Sequence, residues 1–169
     1  MPKTRPVALL TDFGLADPFV GQMKGVLAKL APKSRLLDVS HGIAPFNVGQ
    51  AGFFLRASAP HFPADTVFVA VVDPGVGTER RIVLARLGAQ LFLAPDNGLL
   101  WLVFATEQPR PAEVFDVSRA ALDNAGPGVS SVSATFHGRD LFAPLAARLA
   151  LGAKPESLGT ALPVQVLVR

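Results

Sequence analysis

Thr66-Val67-Phe68-Val69-Ala70-Val71-Val72, running straight into Asp73-Pro74-Gly75-Val76-Gly77, is the stretch that decides the fold. A continuous run of β-branched, aromatic and small apolar residues predicts a strand buried on both faces, as in a parallel sheet covered by helices. The sudden change to Asp, Pro and Gly predicts a loop at its carboxyl end. The same plan appears upstream, where residues 6–10 run into Thr11-Asp12-Phe13-Gly14 and Leu36-Leu37-Asp38-Val39 runs into Ser40-His41-Gly42. Between these strands Val20, Met23, Val26, Leu27 and Leu30 make a helical stripe, with Asp17 expected as its cap and Pro18 at its first position. Asn47, with Gln50 three residues on, opens a second helix in the manner of a capping box, extending to about Ser58 before Pro60.

Downstream, residues 81–87 and 90–94 are expected to be strands joined by a tight turn at Gly88, residues 97–106 a helix and residues 113–117 a short strand. Residues 123–131, rich in Gly, Asn, Ser and Pro, are expected to be loop. His137-Gly138-Arg139-Asp140 opens a last helix in which Leu141, Leu145 and Leu149 share a face and Pro144 sits near the first turn. Alternating strands and helices place the chain in the α/β class, as a three-layer α/β/α domain with a mostly parallel central sheet. Leu162-Pro163-Val164-Gln165-Val166-Leu167-Val168-Arg169 reads as a strand-like tail, an exposed apolar edge unless it pairs within the domain or meets another domain or subunit. The expected division is therefore a domain over residues 1–160 and a tail or linker start over 161–169.

The chain of 169 residues is long enough to bury a core, and with half of them hydrophobic and 17% charged, disorder is excluded. Its longest apolar runs, residues 67–72 and 99–105, fall well short of the roughly 18 residues a membrane span requires. No membrane partner is expected. Cysteine is absent, which removes disulfide and thiolate chemistry, and with no leader pattern at the start the expected location is the cytoplasm. The net charge of +3 is scattered, Arg80-Arg81 being the one adjacent basic pair, so no nucleic-acid stripe is expected and a small-molecule partner is favoured.

In an open parallel sheet, ligands bind beyond the carboxyl ends of the strands. Those exits carry Asp12, then Ser40 and His41, then Asp73, then Asp96 and Asn97, and finally His137 with Arg139 and Asp140. Ionisable residues thus gather at one rim while strand interiors stay apolar, the pattern of a site. Each also has a structural reading: Asp17 caps a helix, Asp73 closes a turn before Pro74, Asp96-Asn97-Gly98 is turn chemistry, and His137 is a core histidine. Gly75-Val76-Gly77 lacks the third glycine of a dinucleotide fingerprint, and neither a P-loop nor a GxSxG elbow is present. From the residues alone, an α/β enzyme, a ligand-binding domain and a metal-dependent phosphoesterase using Asp12, Asp73, Asp96 and the histidines all stay open.

Taken together, Thr11-Asp12-Phe13-Gly14 with Asp17 and Phe19-Val20-Gly21, Asp38-Val39-Ser40-His41 with Pro45, Val71-Val72-Asp73-Pro74-Gly75-Val76-Gly77-Thr78 with Arg80, Ala94-Pro95-Asp96-Asn97-Gly98, and Thr135-Phe136-His137-Gly138-Arg139-Asp140 resemble the S-adenosyl-L-methionine hydroxide adenosyltransferase family, the hydrolytic relatives of fluorinase and chlorinase. The resemblance implies cleavage of S-adenosylmethionine by water to adenosine and methionine, without metal or other cofactor, in homotrimers whose sites lie at subunit interfaces. It implies Asp73, Arg80 and His137 as the catalytic triad. It further implies Asp12 against the ribose hydroxyls, Asp17 toward the methionine end, Phe46 as an apolar wall, and Asn97 and Gly138 at the substrate. The halogenating relatives carry serine where Gly138 stands, so hydroxide is expected rather than halide. The family also has a smaller C-terminal β-domain that completes a neighbour's pocket, and this chain is expected to lack it. A non-catalytic adenosine-type binder that keeps the half-pocket is the alternative reading. Sulfonium departure as a neutral thioether needs no acid, so the hard step is activating the water; Asp73 and His137 are expected to hold it and take its proton, with Arg80 orienting Asp73.

Overall fold

The structure, a computed structural model, describes residues 4–104, 112–123 and 133–169. Among the described residues seven strands form one sheet: β1 (Val7–Thr11), β2 (Leu36–Ser40), β3 (Val67–Val71), β4 (Ile82–Leu87), β5 (Gln90–Pro95), β6 (Ala112–Asp116) and β7 (Thr160–Leu162). Their spatial order is β2-β1-β3-β5-β4-β6-β7. The pairings β2–β1, β1–β3 and β3–β5 are parallel. Those of β5–β4, β4–β6 and β6–β7 are antiparallel. The chain is thus an α/β domain, and its mixed sheet is parallel on one side and antiparallel on the other.

Alternation along the strands builds the layers, since successive side chains point to opposite faces. Val7, Leu9, Val67 and Val69 pack toward α1 (Phe19–Leu30) and α5 (Ala143–Ala150), where Met23, Leu27, Leu145 and Leu149 meet them. Ala8, Leu10, Phe68 and Ala70 face α2 (Val48–Ser58) and α3 (Leu99–Phe104) through Ala51, Leu55, Leu99 and Val103. Helices therefore cover both faces, as the unbroken hydrophobicity of β3 requires. Phe68 and Phe92, direct neighbours across β3 and β5, stack at 4.9 Å between ring centroids. Among the described residues no helix is long and apolar enough to cross a membrane.

Local expectations meet the structure unevenly. The α2 cap forms, with Asn47 Oδ1 accepting the Gln50 N–H at 2.9 Å. The return half of the box goes elsewhere: Gln50 Oε1 accepts from the Ala44 N–H at 2.8 Å. Asp17 does not cap α1; Pro18 takes the cap position, no side chain bonds there, and Asp17 lies exposed in the loop. The Gly88 turn joins β4 and β5 with φ +62° at Gly88. Of the expected helix over 97–106, Leu99–Phe104 is helical, while Ala105 and Thr106 lie outside the described residues. Of the expected loop over 123–131, Asp123 ends α4 (Ser118–Asp123) and the remainder lies outside the described residues.

The C-terminal tail is not a strand. Only Leu162 belongs to β7, which pairs with β6, and Pro163, without an N–H, ends the ladder. Residues 164–169 instead run across the domain, with Leu167 buried in the core beneath. Their backbone is satisfied by side chains: Arg81 Nη2 donates to Val166 O at 2.8 Å and Asp96 Oδ1 accepts from Val168 N at 3.0 Å. The Arg169 guanidinium sits over Trp101, 4.5 Å from the ring centroid.

Candidate active site

All four parallel strands end at one rim of the sheet. Because β4 runs opposite to β5, its beginning, with Arg80 just before it, reaches the same rim. A cleft of about 340 Å³ opens there, lined by Asp12, Phe13, Phe19, Phe46, Asp73, Phe136, His137 and Gly138 among others. Two loops make it. The turn after β3 folds tightly, Val76 N donating to Asp73 O at 3.2 Å and Thr78 N to Gly75 O at 3.1 Å. Gly77 has φ +80°, and a Cβ there would lie 2.7 Å from Ala134 O, so glycine lets the 133–137 segment close against this loop.

Asp73 and Arg80 are nearly buried, and the guanidinium grips a single carboxylate oxygen: Nε and Nη2 both donate to Asp73 Oδ2, the Nε bond at 2.8 Å. Arg80 Nη2 also lies 2.9 Å from His137 Nδ1. A guanidinium has donors and no acceptor, so this contact requires a lone pair on Nδ1, hence a neutral His137 carrying its proton on Nε2. The electrostatics agree. Burial, and then the charge of Arg80, push the His137 pKa below its ordinary value against the opposing pull of Asp73 and Asp140. Asp73 Oδ1 is buried and takes no hydrogen bond among the described residues. A charged carboxylate oxygen left unmatched beside a cleft is unusual outside functional sites.

At the other end of the cleft, Asp12 Oδ2 accepts from the Phe46 N–H at 2.8 Å. Phe46 has φ +61°, a strained conformation for a non-glycine residue that costs on the order of 1–3 kcal/mol, and its ring stands 64% exposed at the rim. Asp12 therefore pins a strained residue whose phenyl group walls the opening. The floor is aromatic. Phe13, Phe19 and Phe136 meet edge to face at centroid distances of 5.0–6.0 Å. Gly138 sits against them, and a Cβ there would come within 3.1 Å of Met23 Sδ and 3.2 Å of Phe13. The loop bearing Asp12 is fixed from behind by buried His41, whose Nδ1 is 2.8 Å from Thr11 Oγ1 and whose Nε2 is 3.0 Å from Asp38 Oδ1. Lys24 holds the other Asp38 oxygen at 2.7 Å; desolvation raises the Asp38 pKa, but the bonds from Lys24 and His41 leave it lowered.

The structure thus brings Asp12, Phe46, Asp73, Arg80, His137 and Gly138 together. Two expected site residues lie elsewhere. Asp17 is exposed on the approach to α1. Asn97 donates to Val72 O at 2.8 Å and accepts from Leu99 N at 3.3 Å, tying the end of β3 to the start of α3. The sequence reading missed Phe13, Phe19, Thr135 and Phe136 as lining residues. The aromatic side chains beside Asp12 and His137 were the available signal. Among the described residues no group of three or more His, Asp or Glu side chains is placed to hold a metal ion.

Residues 7–159 match the family model described as SAM hydroxide adenosyltransferase N-terminal domain. The chain is 47% identical over 165 residues to an (R)-S-adenosyl-L-methionine hydrolase of Thermus thermophilus, covering 98% of this chain and 64% of that protein. It is 45% identical to the hydrolase of the same name from Salinispora tropica, covering 100% of this chain and 62% of that one. A fluorinase from Actinoplanes is more distant, at 28% identity over 96% of this chain and 60% of the relative. Among solved structures, an uncharacterized conserved protein from Thermotoga maritima superposes with a TM-score of 0.86 at 36% identity, over 96% of this chain and 61% of that one. The chain spans less than two thirds of the length of these relatives.

Proposed function

The chain belongs to the S-adenosyl-L-methionine hydroxide adenosyltransferase family, as its N-terminal domain, and from that premise we propose that it hydrolyses S-adenosylmethionine to adenosine and methionine. The observation that carries this reading is the nearly buried Asp73 carboxylate lining the cleft, its Oδ1 without a hydrogen-bond partner among the described residues, beside an arginine that orients it and a neutral histidine. In the reaction a water oxygen bonds to the ribose 5′ carbon as the carbon–sulfur bond breaks. Its electron pair leaves with sulfur as a neutral thioether. The water proton goes to the Asp73 carboxylate, while His137, whose Nδ1 is engaged by Arg80, holds the water oxygen through Nε2–H. Base assistance of this kind is worth about 10²–10⁴ in rate, and in-line placement of the water up to about 7–11 kcal/mol more.

The remaining Asp12 oxygen suits a ribose diol, and the aromatic floor suits both a purine ring and a sulfonium. At Gly138 the neighbours leave no comfortable room for the serine of halogenating enzymes, which supports water as the nucleophile. Asp17 and Asn97, outside the cleft, are left to contacts that a neighbouring subunit would bring. Phe19 and Phe46 expose apolar surface at the cleft, which supports completion of the site across a homotrimer interface. We take residues 1–160 as the catalytic half and 161–169 as the lead into a C-terminal β-domain. A cysteine-free chain needs no oxidising compartment, and the cytoplasm is the location we infer.

The test is incubation with S-adenosylmethionine in chelator and quantification of adenosine and methionine. Equal amounts of both products, lost in D73N, are expected. Adenosine binding by calorimetry without turnover supports the binding-only reading instead, and turnover restored only by added divalent metal overturns the mechanism.

A further inference from the structure

Asp140 is fully buried, yet it is charged and absent from the cleft lining. Its carboxylate is matched on every side: Oδ1 accepts from Arg139 Nε at 2.6 Å, and Oδ2 accepts from Arg139 Nη2 at 3.1 Å and from the Ser133 N–H at 2.9 Å. Arg139 is itself anchored, donating through Nη1 to Gln22 Oε1 on α1 at 3.1 Å and covering the Phe136 ring at 5.1 Å. Packing alone does not ask for this pair. A buried ion pair is often no more stabilising than apolar residues of the same volume, whereas removing one partner is strongly destabilising. What it does hold is residues 133–136, which form neither helix nor strand and lead directly to His137. The turn that follows is also special. Gly138–Phe142 is a π turn closed by Ala143 N–H to Gly138 O, a form found frequently at functional sites.

We propose that Asp140 is a positioning residue of the reaction, whose carboxylate, braced by Arg139 and holding Ser133, fixes His137 so that Nδ1 meets Arg80 and Nε2 faces the cleft. This rests on the hydrolytic reading above for its kinetic consequence, though not for its geometry. The charged groups around His137 are Arg80 and Asp73 from the loop between β3 and β4 and Asp140 from its own turn, with Glu79 lining the adjoining cavity. Asp140 and Asp73 favour the imidazolium, while Arg80 and burial oppose it.

The experiment titrates the His137 imidazole by NMR in the full chain, with H137Q identifying its signal among the three histidines, beside steady-state hydrolysis of S-adenosylmethionine. In D140N the shape is kept and the negative charge removed. The His137 pKa is expected to move further down, and kcat to fall on the order of tenfold or more with KM little changed, as for a small misplacement of a reacting group. R139K, which keeps the charge and loses the fork, is expected to lower kcat in the same way by a smaller factor, and it decides the matter if D140N does not fold. A purely structural role predicts the opposite titration: loosening admits water and the His137 pKa rises toward the free imidazole value. That rise, or an unchanged titration with undiminished kcat, overturns the proposal. If the parent chain hydrolyses nothing while the titration shifts downward in D140N, the hydrolytic reading falls and the positioning role stands.

Discussion

The two sides of the sheet do different work with similar material. On the parallel side, β1, β2, β3 and β5 all deliver their carboxyl ends to one rim, so each exit adds a polar residue to the same place. On the antiparallel side, successive strands end at opposite rims, and the Arg86 pair is at the surface: Arg86 bridges Glu113 and Glu156, both about half exposed. The Arg80–Asp73 pair sits at the seam, nearly buried. A guanidinium in contact with water and two carboxylates is screened. One sealed against a single oxygen leaves the other oxygen buried beside the cleft without a partner among the described residues. The lesson is that strand direction, more than residue type, decides which charges gather at the cleft.

Several substitutions sharpen that contrast. At the seam, Asp73→Asn is expected to reduce turnover by about 10²–10⁴, read as the initial rate of adenosine release. A loss of less than tenfold would contradict the role given to its carboxylate. On the parallel side, Phe68→Ala removes one of the stacked rings of β3 and β5 and should cost about 3–5 kcal/mol in a urea melt. The pH profile of kcat/KM comes next. Protonating His137 puts an N–H where Arg80 already donates, so the acid limb of turnover should have its midpoint below the ordinary imidazole value of 6.5 and fall about tenfold per unit beneath it. A limb above 6.5 would refute a neutral His137. Asn47→Ala, at the α2 cap, should cost about 1 kcal/mol, measured by thermal unfolding, without altering the limb. Arg86→Gln, on the antiparallel side, is expected to shift the melting temperature least of all and leave turnover untouched.

Much of the parallel side was legible because its signals are local. The run from Val67 to Val72 had to be buried, and Asn47 with Gln50 had to start a helix. The seam was legible in part: Asp73 and His137 stood among the strand-exit residues, but Arg80 joined them only through resemblance, since no periodicity links the three. What escaped depends on tertiary partners. Asp17 has the right chemistry for a cap, but the loop brings Pro18 to that place. The apolar alternation of residues 162–168 suggests a strand, yet Pro163 stops the ladder, and Arg81 with Asp96 supplies the hydrogen bonds a neighbouring strand would have made. Asn97, placed at the substrate by the resemblance, lies outside the cleft and donates to the Val72 carbonyl, a contact no sequence pattern announces. Asp140 stood among the strand-exit residues and in the motif with His137, but nothing in the sequence marked it as buried, since a buried carboxylate is recognisable only once its partners are placed.

The π turn at Gly138–Phe142 has a consequence for how this family can tolerate changes in length. Such a turn holds one more residue than an α turn, so deleting a single residue within it would let the helix close regularly and keep α5 in the core. The flanking segments would keep their register, so the cost would fall within the turn itself, where Gly138 lies against Met23 and Phe13 while Asp140 holds the Ser133 N–H. A one-residue deletion there should therefore leave a folded protein in which these two contacts no longer form together.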